Sequence, residues 1–229
     1  MKYLYETHMH TSEVSACGIS TAAEQIISYK RKGYTGVIIT DHFVNGNTNC
    51  PQHLPWKKKM KHFATGYDNA KKEGEKCGLD VFFGWEFSIR GSDFLTYGLG
   101  LDFLLANPGM DTLSADDYSA LIRESGGYLA QAHPFRSAWY VEYKYPVNPA
   151  LLDGIEIFNS TEAEENNAKA YAFAKKYNLA MQSGSDSHCK TGHFFSGIML
   201  NKKAETIFDI IEAIKANEST PILPKTQSI

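Results

Sequence analysis

Five of the eight histidines in this 229-residue chain stand directly after short apolar runs that read as β-strands. His8 and His10 follow the first run, and His42, in Thr40-Asp41-His42, follows the second. His133, in Ala132-His133-Pro134, follows the fifth, and His188, in Ser185-Asp186-Ser187-His188, follows the seventh. Glu86, in Gly84-Trp85-Glu86-Phe87, ends the third run in the same manner. Neutral imidazoles and carboxylates are the ligands that divalent zinc, manganese or iron accept. In extended backbone the pair His8-x-His10 sends both rings to one side, because strand side chains alternate with period two. Singly, each residue reads as an ordinary polar group, and their joint placement carries the inference. His53, His62 and His193 lie in loops or a polar helix and read as such ordinary residues.

These residues converge only if the right elements hold them. Strands are expected at residues 3–6, 36–40, 81–85, 95–101, 127–131, 154–158, 180–183 and 197–200, and helices at 20–32, 56–77, 114–124, 162–177 and 204–216. Ser20 with Glu24, and Ser114 before Asp116-Asp117, fit helix starts, while Gly33 and Gly78 fit helix ends. Strands alternating with helices of this length imply β-α units and a parallel sheet. Seven or eight such units close most simply into a barrel, with an open doubly wound sheet as the alternative. A parallel barrel places every strand's carboxyl end on one face, which turns scattered residues into a site. No repeat, low-complexity stretch or linker divides the chain, so one domain over 1–229 is expected, with 45–55 as a long loop.

The bulk properties set limits. The composition, with 43% hydrophobic and 21% charged residues, is that of a globular protein. A net charge of −3 argues against a clamp that neutralises many phosphates of a duplex, though not against a nucleotide or short oligonucleotide. The four cysteines form no C-x-x-C pair, and neither a disulfide framework nor a redox dithiol is expected. No apolar run has the length of a signal peptide or membrane span, so a cytoplasmic location is expected.

The order His8-x-His10, Asp41-His42, Glu86, His133-Pro134, Asp186-x-His188 resembles the PHP (polymerase and histidinol phosphatase) family of metal-dependent phosphoesterases. Val37-Ile38-Ile39-Thr40-Asp41-His42 and Ala132-His133-Pro134-Phe135-Arg136 are especially similar. The resemblance implies a distorted seven-stranded β/α barrel with two or three divalent ions (zinc, manganese or iron) in its mouth. It implies that His8, His10, Glu86 and Asp186 hold one ion, with Glu86 bridging to a second on His133. His42 and His188 would hold a third, and Asp41 would orient a ligand. Two positions depart from the family's pattern. Members commonly place a His or Asp shortly after the His-x-His pair, where Cys17 is the nearest candidate here, with Glu13 behind it. Members also often carry a His near the start of the fourth strand, where Asp93 stands.

The expected reaction is hydrolysis of a phosphate mono- or diester by a metal-activated hydroxide at a di- or trinuclear site. The expected substrate is a small phosphorylated molecule: a phosphomonoester, a nucleotide or a short oligonucleotide. Arg136 is placed to clamp a phosphate oxygen, since a guanidinium fork fits phosphate, and also fits an ordinary salt bridge. Asn159 is a further candidate to line the pocket. The aromatic run 139–146 either stacks a substrate ring or forms a loop core. Two rival readings share these residues: an amidohydrolase-type enzyme cleaving C–N bonds, and a non-catalytic, metal-stabilised binding module.

Overall fold

The computed structural model describes residues 2–142, 146–191 and 194–224. The chain begins with β1 (Tyr3–Met9), α1 (Ala22–Arg31), β2 (Gly36–Ile39), α2 (Trp56–Phe63), α3 (Thr65–Cys77) and β3 (Asp80–Ile89). It continues through β4 (Ser92–Tyr97), α4 (Leu101–Ala106), α5 (Ala115–Glu124), β5 (Tyr128–Gln131) and β6 (Gly154–Asn159). Last come α6 (Glu164–Tyr177), β7 (Ala180–Gly184), β8 (Ile198–Leu200), α7 (Ile207–Lys215) and β9 (Thr220–Pro221). Among the described residues these strands form one nine-stranded sheet in the order β7-β6-β5-β4-β3-β2-β1-β8-β9.

The sheet curls until the chain beyond β7 comes back beside β1, leaving a nearly closed barrel. Beyond β7, Ser187 bridges Met9, with His10 N donating to Ser187 O (2.9 Å) and Ser187 N to His8 O (3.2 Å). The architecture is therefore barrel-like α/β, as expected, but the sheet is mixed and has nine strands rather than seven. β4 runs antiparallel to both β3 and β5, and β8 and β9 are antiparallel as well. The reversal at β4 follows from Arg90-Gly91, a two-residue turn with φ of 51° and 81°. Positive φ at both positions suits the tight hairpin that joins antiparallel strands. β3 therefore extends to Ile89 instead of ending at Trp85, and the expected strand 95–101 ends at Tyr97.

The helices differ in smaller ways. Thr21, not Ser20, caps α1, completing a capping box with Glu24. Ser20 instead accepts from Lys190 N (3.0 Å). Ser114 caps α5 as expected. The expected helix 56–77 breaks into two at Ala64, where Thr65 Oγ1 donates to His62 O (2.6 Å) and competes for a helical carbonyl. Apolar residues of α1 and α3 (Ile26, Tyr29, Ala70) cover Val37 and Ile39 of β2. Ile210, Ile211 and Ile214 of α7 pack beside Tyr5, Tyr97 and Tyr128. All four cysteines are free, and among the described residues no helix is long and apolar enough to cross a membrane.

Two register shifts set which side chains reach the barrel mouth. β1 pairs with β2 through Tyr5–Gly36 and Glu6–Val37, then resumes at Met9–Ile39, so β1 holds one extra residue. β6 holds one too, between Glu156 and Phe158. A bulge of this type breaks strict alternation. It leaves Met9 on the helix-covered face with Val37 and Ile39 and turns His8 and His10 to the other, while Glu6 stays on the Val37 side.

Candidate metal centre

His8 lies near the end of β1 and His10 just beyond it. Nε2 of His8 is 3.1 Å from Nε2 of His10, 3.2 Å from Glu86 Oε1 and 3.5 Å from Asp186 Oδ1. His133 Nε2 is 3.1 Å from Glu86 Oε1 and 3.7 Å from Asp93 Oδ2. His42 is held beside Glu86 by an extension of the β2–β3 pairing, with Glu86 N donating to Asp41 O (3.1 Å) and Phe43 N to Glu86 O (2.8 Å). The His10 ring stacks on His188, with centroids 4.2 Å apart, and lies 4.4 Å from His42. All seven expected ligands thus come together. Overlapping sets of donor atoms converge closely enough for one ion each: His8, His10 and Glu86; His8, His133 and Asp186; Glu86, Asp93 and His133; His10, His42 and His188.

The hydrogen bonds around these rings decide where their lone pairs point. His8 Nδ1 faces Glu156 Oε1 at 3.0 Å, and His188 Nδ1 faces the carbonyl of Asp186 at 2.8 Å. Carboxylate and carbonyl oxygens only accept, so each Nδ1 carries a proton and Nε2 is the nitrogen left to face a ligand site. Ser15 does the same for His10. Its single hydroxyl proton goes to Asp41 Oδ1 (2.7 Å), so it accepts from His42 N (3.0 Å) and from His10 Nδ1 (3.0 Å). Three rings therefore turn Nε2, not Nδ1, towards the cluster and its carboxylates. His42 Nδ1 and Glu86 Oε2 lie 2.8 Å apart, yet neither has a hydrogen-bond partner of acceptable geometry. The distance is that of an ion pair, while the angles fall outside those of a hydrogen bond. Unpaired buried polar atoms are costly, and a shared cation removes that cost.

Electrostatics agree with the geometry. Burial opposes charge on His8, but Asp186, Glu156 and Glu86 outweigh it and hold the ring's pKa well above the ordinary value. Burial pushes the Glu86 carboxyl up, while His42 and His8 prevail and hold it well below the usual range. Asp186 is likewise held low against burial, by His8, His10 and Arg136. Burial lowers His10, and His188 and His42 lower it further. A buried cluster that draws positive charge to these atoms suits divalent cations. His133 and Asp186 also have φ of 27° and 50°, sparsely populated backbone of the kind that gathers at functional sites.

Cys17 lines the same cavity as His42 and His188. Burial raises its thiol, but contacts with His188 and His42 bring it down to about 6. Asp93 enters at the amino end of β4, because that strand runs in reverse. Glu13 is engaged elsewhere, accepting from Ala22 N (2.9 Å). Asp41 is buried beneath the cluster, accepting from Thr11 N (2.6 Å), Thr11 Oγ1 (2.7 Å) and Ser15. Arg136 is already engaged: with Glu162, with Asp186 Oδ2 (2.7 Å), with Thr161 Oγ1 (2.8 Å) and with His133 Nε2 (3.1 Å). A guanidinium has five donors, so one remains. Asn159 does not line the pocket. It is fully buried, and its amide nitrogen donates to Glu156 Oε2 (2.8 Å) and Asp186 Oδ2 (3.3 Å). His53 and His62 stand outside the convergent sets, and His193 lies outside the described residues, as do 143–145 of the aromatic run.

Two positioning carboxylates escape a reading of the sequence alone. Glu156 orients His8 and accepts from His133 N (2.9 Å). Its signal is an acid inside the apolar strand run Gly154-Ile155-Glu156-Ile157. Glu6 caps the β1 bulge, accepting from Thr7 N (3.0 Å), His8 N (2.9 Å) and Ser185 N (2.9 Å). Gly184 lets β7 approach this assembly, since a Cβ there would lie 2.5 Å from both Glu156 Oε1 and His8 Cβ. Gly184→Ala is therefore expected to cost about 1–3 kcal/mol, as overpacking does. Thermal denaturation checks this, and an unchanged Tm would show that the contact relaxes freely.

A larger cavity, about 1010 Å³, is not at this cluster. It lies across the β3–β4 turn and has no histidine among its described lining residues. The cavity over the cluster is about 700 Å³ and is walled by Cys17, His42, Asp93, Arg136, Asp186 and His188, among others. The chemistry of its walls, rather than size, makes it the site.

No family model matches the chain. It is 28% identical over 207 residues to a Caldicellulosiruptor saccharolyticus protein described as a probable phosphatase, covering 81% of this chain and 80% of that protein. Among solved structures it is similar to a two-domain Bacteroides vulgatus protein containing a predicted PHP-like metal-dependent phosphoesterase, with a TM-score of 0.72 at 16% identity. That match covers 97% of this chain, which spans 65% of the two-domain protein. A Chromobacterium violaceum amidohydrolase with bound sulfate and no metal has a TM-score of 0.55 at 14% identity, over 96% of this chain and 98% of that one. These likenesses establish that the chain has the fold of PHP-like metal-dependent phosphoesterases.

Proposed function

We propose that this protein is a metal-dependent phosphoesterase hydrolysing a phosphate mono- or diester at a site of two or three divalent ions. The observation that carries this reading is the convergence of donor atoms from His8, His10, His42, His133 and His188 with Glu86 and Asp186. His8, His10, Glu86 and Asp186 would hold one ion, Glu86 with His133 and Asp93 a second, and His42 with His188 a third beside Cys17. Such ions lower the pKa of a bound water and offset charge on the phosphoryl and leaving oxygens.

Contacts behind the proposed ligands support this reading. Glu156 sets the tautomer of His8, and Asp41 sets that of His10 through Ser15, so Asp41 is a positioning residue. Partners of this kind tune ring orientation and basicity. Arg136 holds Asp186 in place, and its remaining donor is available to a phosphoryl oxygen.

Ser15→Ala is expected to weaken metal binding about 10- to 100-fold, the usual loss for an outer partner of a ligating histidine. Competition against a chelator of known affinity measures it, and unchanged affinity would remove Ser15 from the positioning chain.

The reading is tested with p-nitrophenyl phosphate and its bis ester, using protein reconstituted with manganese or zinc. A His8→Ala/Glu86→Ala double variant serves as control. Metal-dependent turnover absent from the variant supports a phosphoesterase. Metal bound without phosphoester turnover overturns it; cleavage of an amide substrate would then indicate amidohydrolase chemistry, and silence on both a binding module.

A further inference from the structure

Most residues lining the cavity over the cluster are ionic or polar, but two carry large aromatic rings. Trp139 and Tyr140 line it together with His42 and His188, and they are 96% and 46% exposed. Their rings meet edge-on, with centroids 5.8 Å apart and planes at 88°. The backbone beneath them is tied down: Val141 N donates to Ala138 O (3.1 Å), and Glu142 N to Arg90 O (3.0 Å) at the β3–β4 turn. Gly91 permits that seating, since a Cβ on it would lie 2.5 Å from Tyr140 O. An indole held in water beside a site offers a face for a ring, and ring pairs add affinity beyond the area they bury.

Charge narrows what that ring belongs to. Among the described lining residues the fixed cation of this cavity is Arg136, already paired with Glu162 and Asp186. The adjoining groove shares Ser88 with it and carries Asp111, Asp116 and Glu142 beside Arg90. A second phosphate placed there would meet carboxylates.

Building on the phosphoesterase reading, we propose that the substrate is a phosphomonoester whose alcohol carries a planar ring and no second phosphate. The ring lies against Trp139 and Tyr140 while the single phosphate reaches the histidine–carboxylate cluster.

The test compares 2-phenylethyl phosphate with 2-cyclohexylethyl phosphate, whose alcohols match closely in acidity and size and differ in aromaticity. The metal-reconstituted wild type is expected to favour the phenyl ester about five-fold in kcat/KM, mostly through KM, as an aromatic pair would give. Trp139→Ala is expected to bring the ratio near one, and Trp139→Phe to restore most of it. A ratio near one in the wild type, or one unmoved by Trp139→Ala, would overturn the ring contact while the phosphoesterase reading stands. A second readout needs no turnover: 2-phenylethylphosphonate is expected to quench tryptophan emission in the wild type but not in Trp139→Phe, since Trp85 is fully buried and the half-buried Trp56 does not line this cavity. Quenching of this kind without turnover of either ester would keep the ring contact and remove the phosphoesterase reading. Neither turnover nor quenching removes both.

Discussion

Glu86→Ala is expected to abolish metal-dependent phosphoester hydrolysis while the protein still folds. Its two oxygens serve different neighbours: Oε1 lies 3.2 Å from His8 Nε2 and 3.1 Å from His133 Nε2, and Oε2 lies 2.8 Å from His42 Nδ1 and 3.4 Å from His10 Nε2. One carboxylate thus stands between four imidazoles, and no other group among the described residues links both sides of the cluster in this way. Its removal takes out a negative charge that would offset divalent cations among these rings. The loss in kcat/KM is therefore expected to exceed the roughly 100-fold ceiling typical of an outer positioning residue. Bound metal per chain is expected to fall in parallel. Steady-state rates and elemental analysis on the same preparations check both. Activity within tenfold of wild type would show that Glu86 does not bridge.

Glu6→Ala is expected to cost about 3–5 kcal/mol of stability, since a buried carboxylate that satisfies several donors leaves them all unpaired when removed. Glu6 is fully buried, and its Oε1 accepts three backbone amides: Thr7, His8 and Ser185. Oε2 accepts the hydroxyls of Tyr29 (2.7 Å) and Ser185. The amides of Thr7 and His8 are those that the β1 bulge releases from the ladder with β2. At about 2–4 °C per kcal/mol for a chain this size, Tm falls by roughly 10 °C. Glu6→Gln is expected to cost less than half as much. Its amide oxygen can keep the three backbone donors, and the two hydroxyls can turn to accept from the new NH₂. Equal losses in the two variants, or a drop of under about 3 °C for Glu6→Ala, would show that the carboxylate is not what holds the bulge.

The histidines and carboxylates of the cluster were legible because each follows an apolar run, and strands that run side by side bring their ends to one face. That inference tolerated errors in strand length: His8 and Glu86 lie inside strands rather than past them, and still reach the site. It did not extend to β4, whose direction depends on the Arg90-Gly91 turn and whose amino end delivers Asp93. Nor did it extend to Asn159, which reads as a pocket residue by position but is buried beneath Glu156 and Asp186.

The sequence by itself determined which residue types gather and how the chain alternates between strand and helix, because both are set by local spacing and side-chain chemistry. Only the tertiary structure decided on which face each residue of β1 falls. Strict alternation would put Glu6 and His8 on the same side; one extra residue against β2 separates them, sending Glu6 under the sheet and His8 into the site. A bulge is a property of two paired strands, and neither strand's residues record it alone. The same holds for Ser15, Asp41 and Glu156, whose role is to fix which nitrogen of a ring carries the proton, and which act only across contacts between distant segments.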